Sequence, residues 1–134
     1  MKKTILLLSV IIAVLLQACK KDDIDKTSVF EGTYTAPVAY NQYNKVVVTR
    51  VSNTSFTIQY TLNNAAPFLI IPTATLENDS AFSFNLAASV NNSTGKYSVK
   101  GDGYIFPNRI VINGKAVNDT NTLDFYQLSF EGYR

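Results

Sequence analysis

Apolar and polar residues alternate with a period of two along most of the chain after residue 30. Two runs show this most clearly, with apolar residues at Phe56, Ile58, Tyr60 and Leu62 and at Phe82, Phe84, Leu86, Ala88 and Val90. Alternation of this kind gives a strand one buried face and one solvated face. No segment repeats its apolar residues every ~3.6 positions over three turns, as an amphipathic helix would. The pattern therefore predicts an antiparallel all-β domain.

Turn-forming Asn, Asp and Pro residues divide the pattern into about eight strands. The predicted strands cover residues 30–39, 45–51, 55–62, 67–76, 81–90, 95–106, 109–117 and 122–131. Within them, Gly101-Asp102-Gly103 indicates a bulge or a tight bend. Asn113-Gly114 is an alternative hairpin turn that would move the last boundaries. Eight short antiparallel strands favour a closed up-and-down barrel, because closure removes exposed edges; the alternative is an immunoglobulin-like β-sandwich.

The first residues of the chain have a pattern typical of a targeting segment. Met1 to Lys3 supply two positive charges, and Ile5 to Leu16 form an apolar run that only Ser9 interrupts. As a helix, this run would be about 18 Å long, which is too short to cross a bilayer. Residues 1–18 are therefore predicted to be a secretory signal peptide.

The end of this segment, Leu16-Gln17-Ala18-Cys19, resembles the lipobox of bacterial lipoproteins. The resemblance implies that the signal is cut before Cys19, that the Cys19 sulfur is diacylated through a thioether, and that Cys19 becomes the first mature residue. The partner implied at this position is a membrane, reached through the acylated Cys19, because two or more acyl chains anchor a protein stably.

Residues 19–29 are expected to form a flexible tether, since six of the seven residues from Lys20 to Lys26 are charged. Within it, Lys21, Asp22 and Asp23 resemble the surface-export signal of Bacteroidota lipoproteins. This resemblance implies an outer-membrane protein on the cell surface; the alternative is a lipoprotein that faces the periplasm.

Residues 30–134 are predicted to form a single β domain. Its opening, Phe30-Glu31-Gly32-Thr33-Tyr34, resembles the F-x-G-x-W/Y segment that opens lipocalins and fatty-acid-binding proteins. The resemblance implies a lipocalin-like barrel. Because the predicted strands are only about nine residues long, we expect the barrel's own side chains to fill its lumen.

Composition removes several classes of function. The chain has no His and one Cys, which excludes His-activated nucleophiles, imidazole zinc ligands, an internal disulfide and a C-x-x-C redox pair. It has 12 basic and 10 acidic residues, and loss of Lys2 and Lys3 with the signal makes the mature balance neutral. We therefore predict no nucleic-acid partner, no cofactor, no metal site and no enzymatic activity.

Three short stretches are candidates for binding or modification. Tyr40-Asn41-Gln42-Tyr43 combines two aromatic rings with amides, as loops that contact a glycan or an envelope protein do. The alternative is a polar hairpin loop whose tyrosines fold back over one end of the barrel. Asp79-Ser80-Ala81 matches the O-glycosylation pattern of exported Bacteroidota proteins, with Ser80 as the acceptor. Asp119-Thr120-Asn121 begins like a calcium loop, but Leu123 stands where a further oxygen ligand is needed.

These observations predict a lipid-anchored envelope protein that acts as a non-catalytic binding or accessory module. One alternative is an inhibitor of a host or competitor hydrolase, because Ser93-Thr94-Gly95-Lys96-Tyr97 is similar to the loops of membrane-bound lysozyme inhibitors. Another alternative is an accessory subunit of a surface nutrient-uptake complex.

Overall fold

In a computed structural model, residues 25–37, 44–61, 67–90 and 95–134 are described. They contain a short 3-10 helix and nine strands. The helix is Ser28–Phe30, and the strands are β1 (Gly32–Thr35), β2 (Lys45–Ser52), β3 (Ser55–Thr61), β4 (Pro67–Leu76), β5 (Ala81–Ser89), β6 (Lys96–Phe106), β7 (Arg109–Asn118), β8 (Phe125–Gln127) and β9 (Phe130–Tyr133).

The strands close into a barrel. Each strand from β1 to β7 pairs with the next in antiparallel orientation, β7 also pairs with β9, and β9 pairs with β1 through Thr35 and Tyr133. This cycle contains eight strands, while β8 is an additional strand that pairs with β7 alone. The barrel prediction is confirmed, and the immunoglobulin-like sandwich is wrong, because a sandwich has two separate sheets.

The predicted eighth strand, 122–131, is two strands in the structure. Both β8 and β9 pair with β7 in a single register, and the ladder is interrupted at Leu128 and Ser129. The Leu128 N–H still donates to the Gly114 carbonyl at 2.8 Å. Asn113-Gly114 lies inside β7 in continuous pairing with β6, so the hairpin alternative for these residues is wrong.

The register of β6 with both of its neighbours is uninterrupted at Gly101 and Gly103, so these glycines do not form the predicted bulge. They make room for aromatic rings instead. A Cβ atom on Gly101 would lie 2.5 Å from Cζ of the Phe84 ring, and one on Gly103 would lie 2.6 Å from the ring of Phe82. Phenylalanines of β5 therefore pack directly against the backbone of β6.

The barrel interior is packed with side chains. The largest fully buried ones are Tyr34, Tyr60, Tyr97, Phe56, Phe82, Phe130, Ile58, Leu69, Ile71, Ile105 and Ile110. Several of their rings meet edge to face, with 5.2 Å between the ring centres of Phe56 and Phe82 and 6.2 Å between those of Tyr60 and Phe130. Such contacts add to the free energy gained by burial.

The two ends of the barrel differ. At one end, which we call the tether end, lie the 3-10 helix and the short turns β2–β3, β4–β5 and β6–β7. The opposite end, which we call the far end, receives the connections β1–β2, β3–β4, β5–β6 and β7–β8. The described chain enters β1 from the tether end, where residues 25–31 precede the strand.

Residues 25–29, which the sequence assigned to the tether, lie against the barrel. Nε of Arg50 lies 2.7 Å from the Asp25 carboxylate, which also accepts hydrogen bonds from the backbone of Thr27 and Ser28. Thr27 is fully buried, and its hydroxyl donates to the Ser52 carbonyl. These contacts extend the folded domain toward the N-terminus, beyond Phe30.

Candidate functional site

Most of the predicted site residues lie outside the described part of the chain. This applies to the lipidation residue Cys19, to the export-signal residues Lys21, Asp22 and Asp23, and to the binding-loop residues Tyr40, Asn41, Gln42 and Tyr43. The base of the loop is described: the Ala36 N–H donates to the Asn44 carbonyl at 3.0 Å. This bond places the connection between β1 and β2 at the far end.

Ser80 lies in the turn between β4 and β5, as the sequence predicts, at the tether end. The Asn78 side chain accepts hydrogen bonds from the N–H groups of Ser80 and Ala81, at 3.0 and 2.8 Å. The neighbouring Asp79 is exposed and forms an ion pair of 2.6 Å with Lys26. Ser80 is half-buried, and its glycosylation stays a prediction.

Side-chain oxygens of the loop between β7 and β8 accept hydrogen bonds from donors within the protein. Asn118 accepts two hydrogen bonds from Thr120, and Asp119 accepts one from Ser98 at 2.6 Å. Asn121 accepts a bond from the Leu123 N–H. Among the described residues, no group of three His, Cys, Asp or Glu side chains is placed to hold a metal ion.

Asp124 closes this loop. Its carboxylate accepts hydrogen bonds from the Tyr97 hydroxyl at 2.6 Å and from the Asn118 side-chain amide at 2.9 Å. The bond from Tyr97 and, to a smaller extent, the bond from Asn118 lower the pKa of Asp124, against a partial desolvation that raises it. Charge-assisted bonds of this kind hold the loop in place, so the network is structural.

The described surface offers another candidate site, on the outer wall formed by β5, β6, β7 and β8. A shallow depression of about 570 Å³ lies there, which we call the outer-wall trough. Its polar lining consists of Ser83, Asn85, Lys100, Asp102, Asn113, Lys115 and Gln127. Gly101 and Gly114 contribute backbone to it, with the ring of Phe84 packed against them from the inside.

The strand register brings two lysines face to face in this trough. Lys100 on β6 lies directly opposite Lys115 on β7, and Asp102 lies opposite Asn113. These residues belong to one row across the sheet, in which Asn85 on β5 lies opposite Lys100 and Gln127 on β8 lies opposite Lys115. The two ammonium groups give this part of the trough positive charge, and the Asp102 carboxylate in the same lining adds one negative charge.

An aromatic ring flanks the same row. The Lys115 ammonium lies 3.9 Å from the centre of the Phe125 ring, a cation–π contact on an exposed surface. Phe125 itself is about half exposed. Ammonium groups bind carboxylates and sulfates, amides and hydroxyls bind sugar hydroxyls, and a ring face packs against a sugar. The trough, with the Phe125 ring beside it, thus presents ammonium, amide, hydroxyl and aromatic groups together with the Asp102 carboxylate.

The sequence analysis did not identify Lys100 and Lys115 as candidate site residues, although the predicted turn between their strands determines that they pair. Pro107-Asn108 is a predicted turn between strands 95–106 and 109–117. A two-residue hairpin loop fixes the register of the two strands, and that register places Lys100 opposite Lys115.

Neither a family model, nor a curated protein, nor a solved structure matches the chain. A search of the described residues for a helix with the length and apolar character to span a membrane found none.

Proposed function

We propose that this protein is a lipid-anchored lipoprotein of the bacterial outer membrane, exposed on the cell surface. In this proposal it works as a non-catalytic binding module whose ligand is an acidic glycan held in the outer-wall trough. The lipobox ending at Cys19 supports the anchor. The signal-like residues Lys21, Asp22 and Asp23 support export to the surface.

The observation that carries the binding role is the facing pair Lys100 and Lys115. Both side chains lie on the outer face of the wall and are exposed. Amide side chains of Asn85, Asn113 and Gln127 surround the pair. An anionic group bound between the two lysines would accept a charge-assisted hydrogen bond from each ammonium, and such bonds are stronger than those between neutral groups.

The experiment measures binding of the full lipoprotein, in mild detergent, to acidic polysaccharides that carry carboxylates or sulfates and to neutral ones. Lys100→Glu reverses one charge of the pair. It is expected to weaken binding to the acidic polysaccharides by at least about tenfold, since a hydrogen bond to a charged group contributes ~1.5–3 kcal/mol. Lys96→Glu makes the same charge change on the same strand but outside the trough, and should leave binding unchanged.

The stability of the Lys100→Glu variant separates lost binding from lost folding. The introduced carboxylate would face Lys115 and form a cross-strand ion pair in place of a repulsive one. The variant should therefore be as stable as the parent or more stable by a few tenths of a kcal/mol. Binding that is equal for acidic and neutral polysaccharides, or equally weakened by both variants, would contradict the proposed site.

A further inference from the structure

We infer that the tether end of the barrel docks onto the lipid surface, with an exposed apolar rim in contact with the headgroup region. The rim consists of Val29, Val51, Tyr104, Phe106 and Tyr133. This inference rests on the lipid anchor of the proposed function and adds an orientation to it. The partner surface is the bilayer into which the acyl chains of Cys19 insert.

The length of chain between the anchor and the barrel limits where the barrel can be. Asp25, the first described residue, lies six positions after Cys19. At ~3.3–3.6 Å per fully extended residue, this distance is at most about 20 Å. Asp25 is itself held to the barrel by the ion pair with Arg50. The tether end is therefore within about 20 Å of the bilayer whatever path the intervening residues take.

The apolar side chains exposed at this end would otherwise face water. The five rim residues are between 39% and 55% exposed. Arg134 joins two parts of the rim, because its guanidinium donates to the carbonyls of Val29, at 3.2 Å, and of Pro107, next to Phe106, at 3.4 Å. Leu123 at the far end is also exposed, so it is the short chain to Cys19 that selects the tether end for contact with the bilayer. Tyr rings favour the membrane–water interface because they are amphipathic.

The charged groups at this end are mostly paired with one another. Lys26 pairs with Asp79 at 2.6 Å, Arg50 with Asp25 at 2.7 Å, and Arg109 with Glu131 at 2.8 Å. Glu31, Glu77 and Arg134 also lie at this end and are exposed, so this end carries no excess of positive charge that would attract anionic headgroups. The attraction to the bilayer is then expected to come from the apolar and aromatic side chains.

The absence of Trp from the chain makes a direct test possible, because one introduced Trp is the only indole in the protein. Val29→Trp and Phe106→Trp place the reporter at two sites on the rim. Leu123→Trp places it in the β7–β8 loop at the far end, where Leu123 is 87% exposed. The acylated full-length variants are incorporated into phosphatidylethanolamine–phosphatidylglycerol vesicles, with and without lipids brominated in their acyl chains, which quench a nearby indole.

Docking predicts a shift of the rim indoles to shorter emission wavelengths and quenching by about twofold, since interfacial side chains reach ~5–10 Å into the headgroup–acyl boundary. The Leu123→Trp indole should be quenched little. Equal, weak quenching at all three positions, in protein that floats with the vesicles, would overturn the docking while leaving the anchor intact. Protein that does not float with the vesicles would contradict the anchor and remove the docking with it.

Discussion

At the scale of single residues, close packing of phenylalanine against glycine determines the shape of the β5–β7 wall. The Phe84 ring lies where side chains at Gly101 and Gly114 would be, and these two glycines pair with each other across β6 and β7. Glycine is needed here because of a close approach, since a ring and a Cβ atom cannot occupy the same space.

Gly101→Ala should therefore destabilise the barrel strongly. Its Cβ would meet Cζ of Phe84 at 2.5 Å and would also clash with the backbone carbonyl of Asn113, which cannot move without breaking the ladder. We expect a loss of about 3 kcal/mol in the free energy of unfolding, measured by denaturant titration. Gly114→Ala is the matched control and should cost less, because its Cβ contacts begin at 3.0 Å. Equal effects of the two variants would contradict this packing.

Asp124 provides a prediction of pH dependence. Hydrogen bonds from Tyr97 and Asn118 lower its pKa in the folded state. Asp124 thus contributes stability that is complete above the pKa of the unfolded chain and is lost as the pH falls through the lower, folded pKa. The affected window lies below about pH 4. Tyr97→Phe removes one of the donors, so it should raise the pKa of Asp124. The free energy of unfolding should then decrease less as the pH is lowered.

The measurement is NMR titration of the Asp124 carboxyl, together with unfolding at several acidic pH values. Ser98→Ala serves as the control, because it removes a neighbouring hydroxyl that binds Asp119 rather than Asp124. If Tyr97→Phe leaves the Asp124 pKa where it is in the parent protein, the hydrogen bond does not have the effect assigned to it.

At the scale of secondary structure, alternation predicted the strands well because each of them has one face in the same core. Phe56, Ile58, Phe82 and Phe84 are all buried, as their spacing predicts. The prediction fails where contacts between side chains determine the end of a strand. Residues 119–124 belong to a loop that side-chain oxygens organise, so β8 begins at Phe125 and not at 122. Some of these contacts are local, such as that of Thr120 with Asn118, and others come from β6, such as that of Tyr97 with Asp124. Neither kind is visible in a period-two pattern.

The junction between the tether and the barrel gives a prediction at this scale. The buried Thr27 hydroxyl donates to the Ser52 carbonyl at the end of β2. Thr27→Val keeps the shape but leaves that carbonyl without this donor, which should cost ~1–2 kcal/mol in the free energy of unfolding. Thr33→Val, at an exposed position of β1, should change it by less than about 0.5 kcal/mol. Similar values for both variants would indicate that the segment before β1 does not stabilise the barrel.

At the scale of the whole molecule, the described segment before β1 and the candidate site occupy different parts of the barrel. The segment before β1 packs on the tether end, while Lys100 lies six residues along β6 from Phe106, or roughly 20 Å at ~3.3 Å per residue. A barrel that rests on its apolar rim would thus hold the outer-wall trough above the headgroups. The sequence predicted the anchor from a local motif. The trough became apparent only from the pairing of strands, because its residues come from four of them.

Acylation of Cys19 is the property on which both the proposed surface location and the proposed orientation of the barrel depend. The most direct test is the intact mass of the protein purified from membranes, together with a tandem mass spectrum of its N-terminal peptide. We expect a chain that begins at Cys19 and carries the added mass of a diacylglyceryl group, with or without a further acyl chain on the amino group. An uncut precursor, or a chain with a free thiol at Cys19, would contradict it.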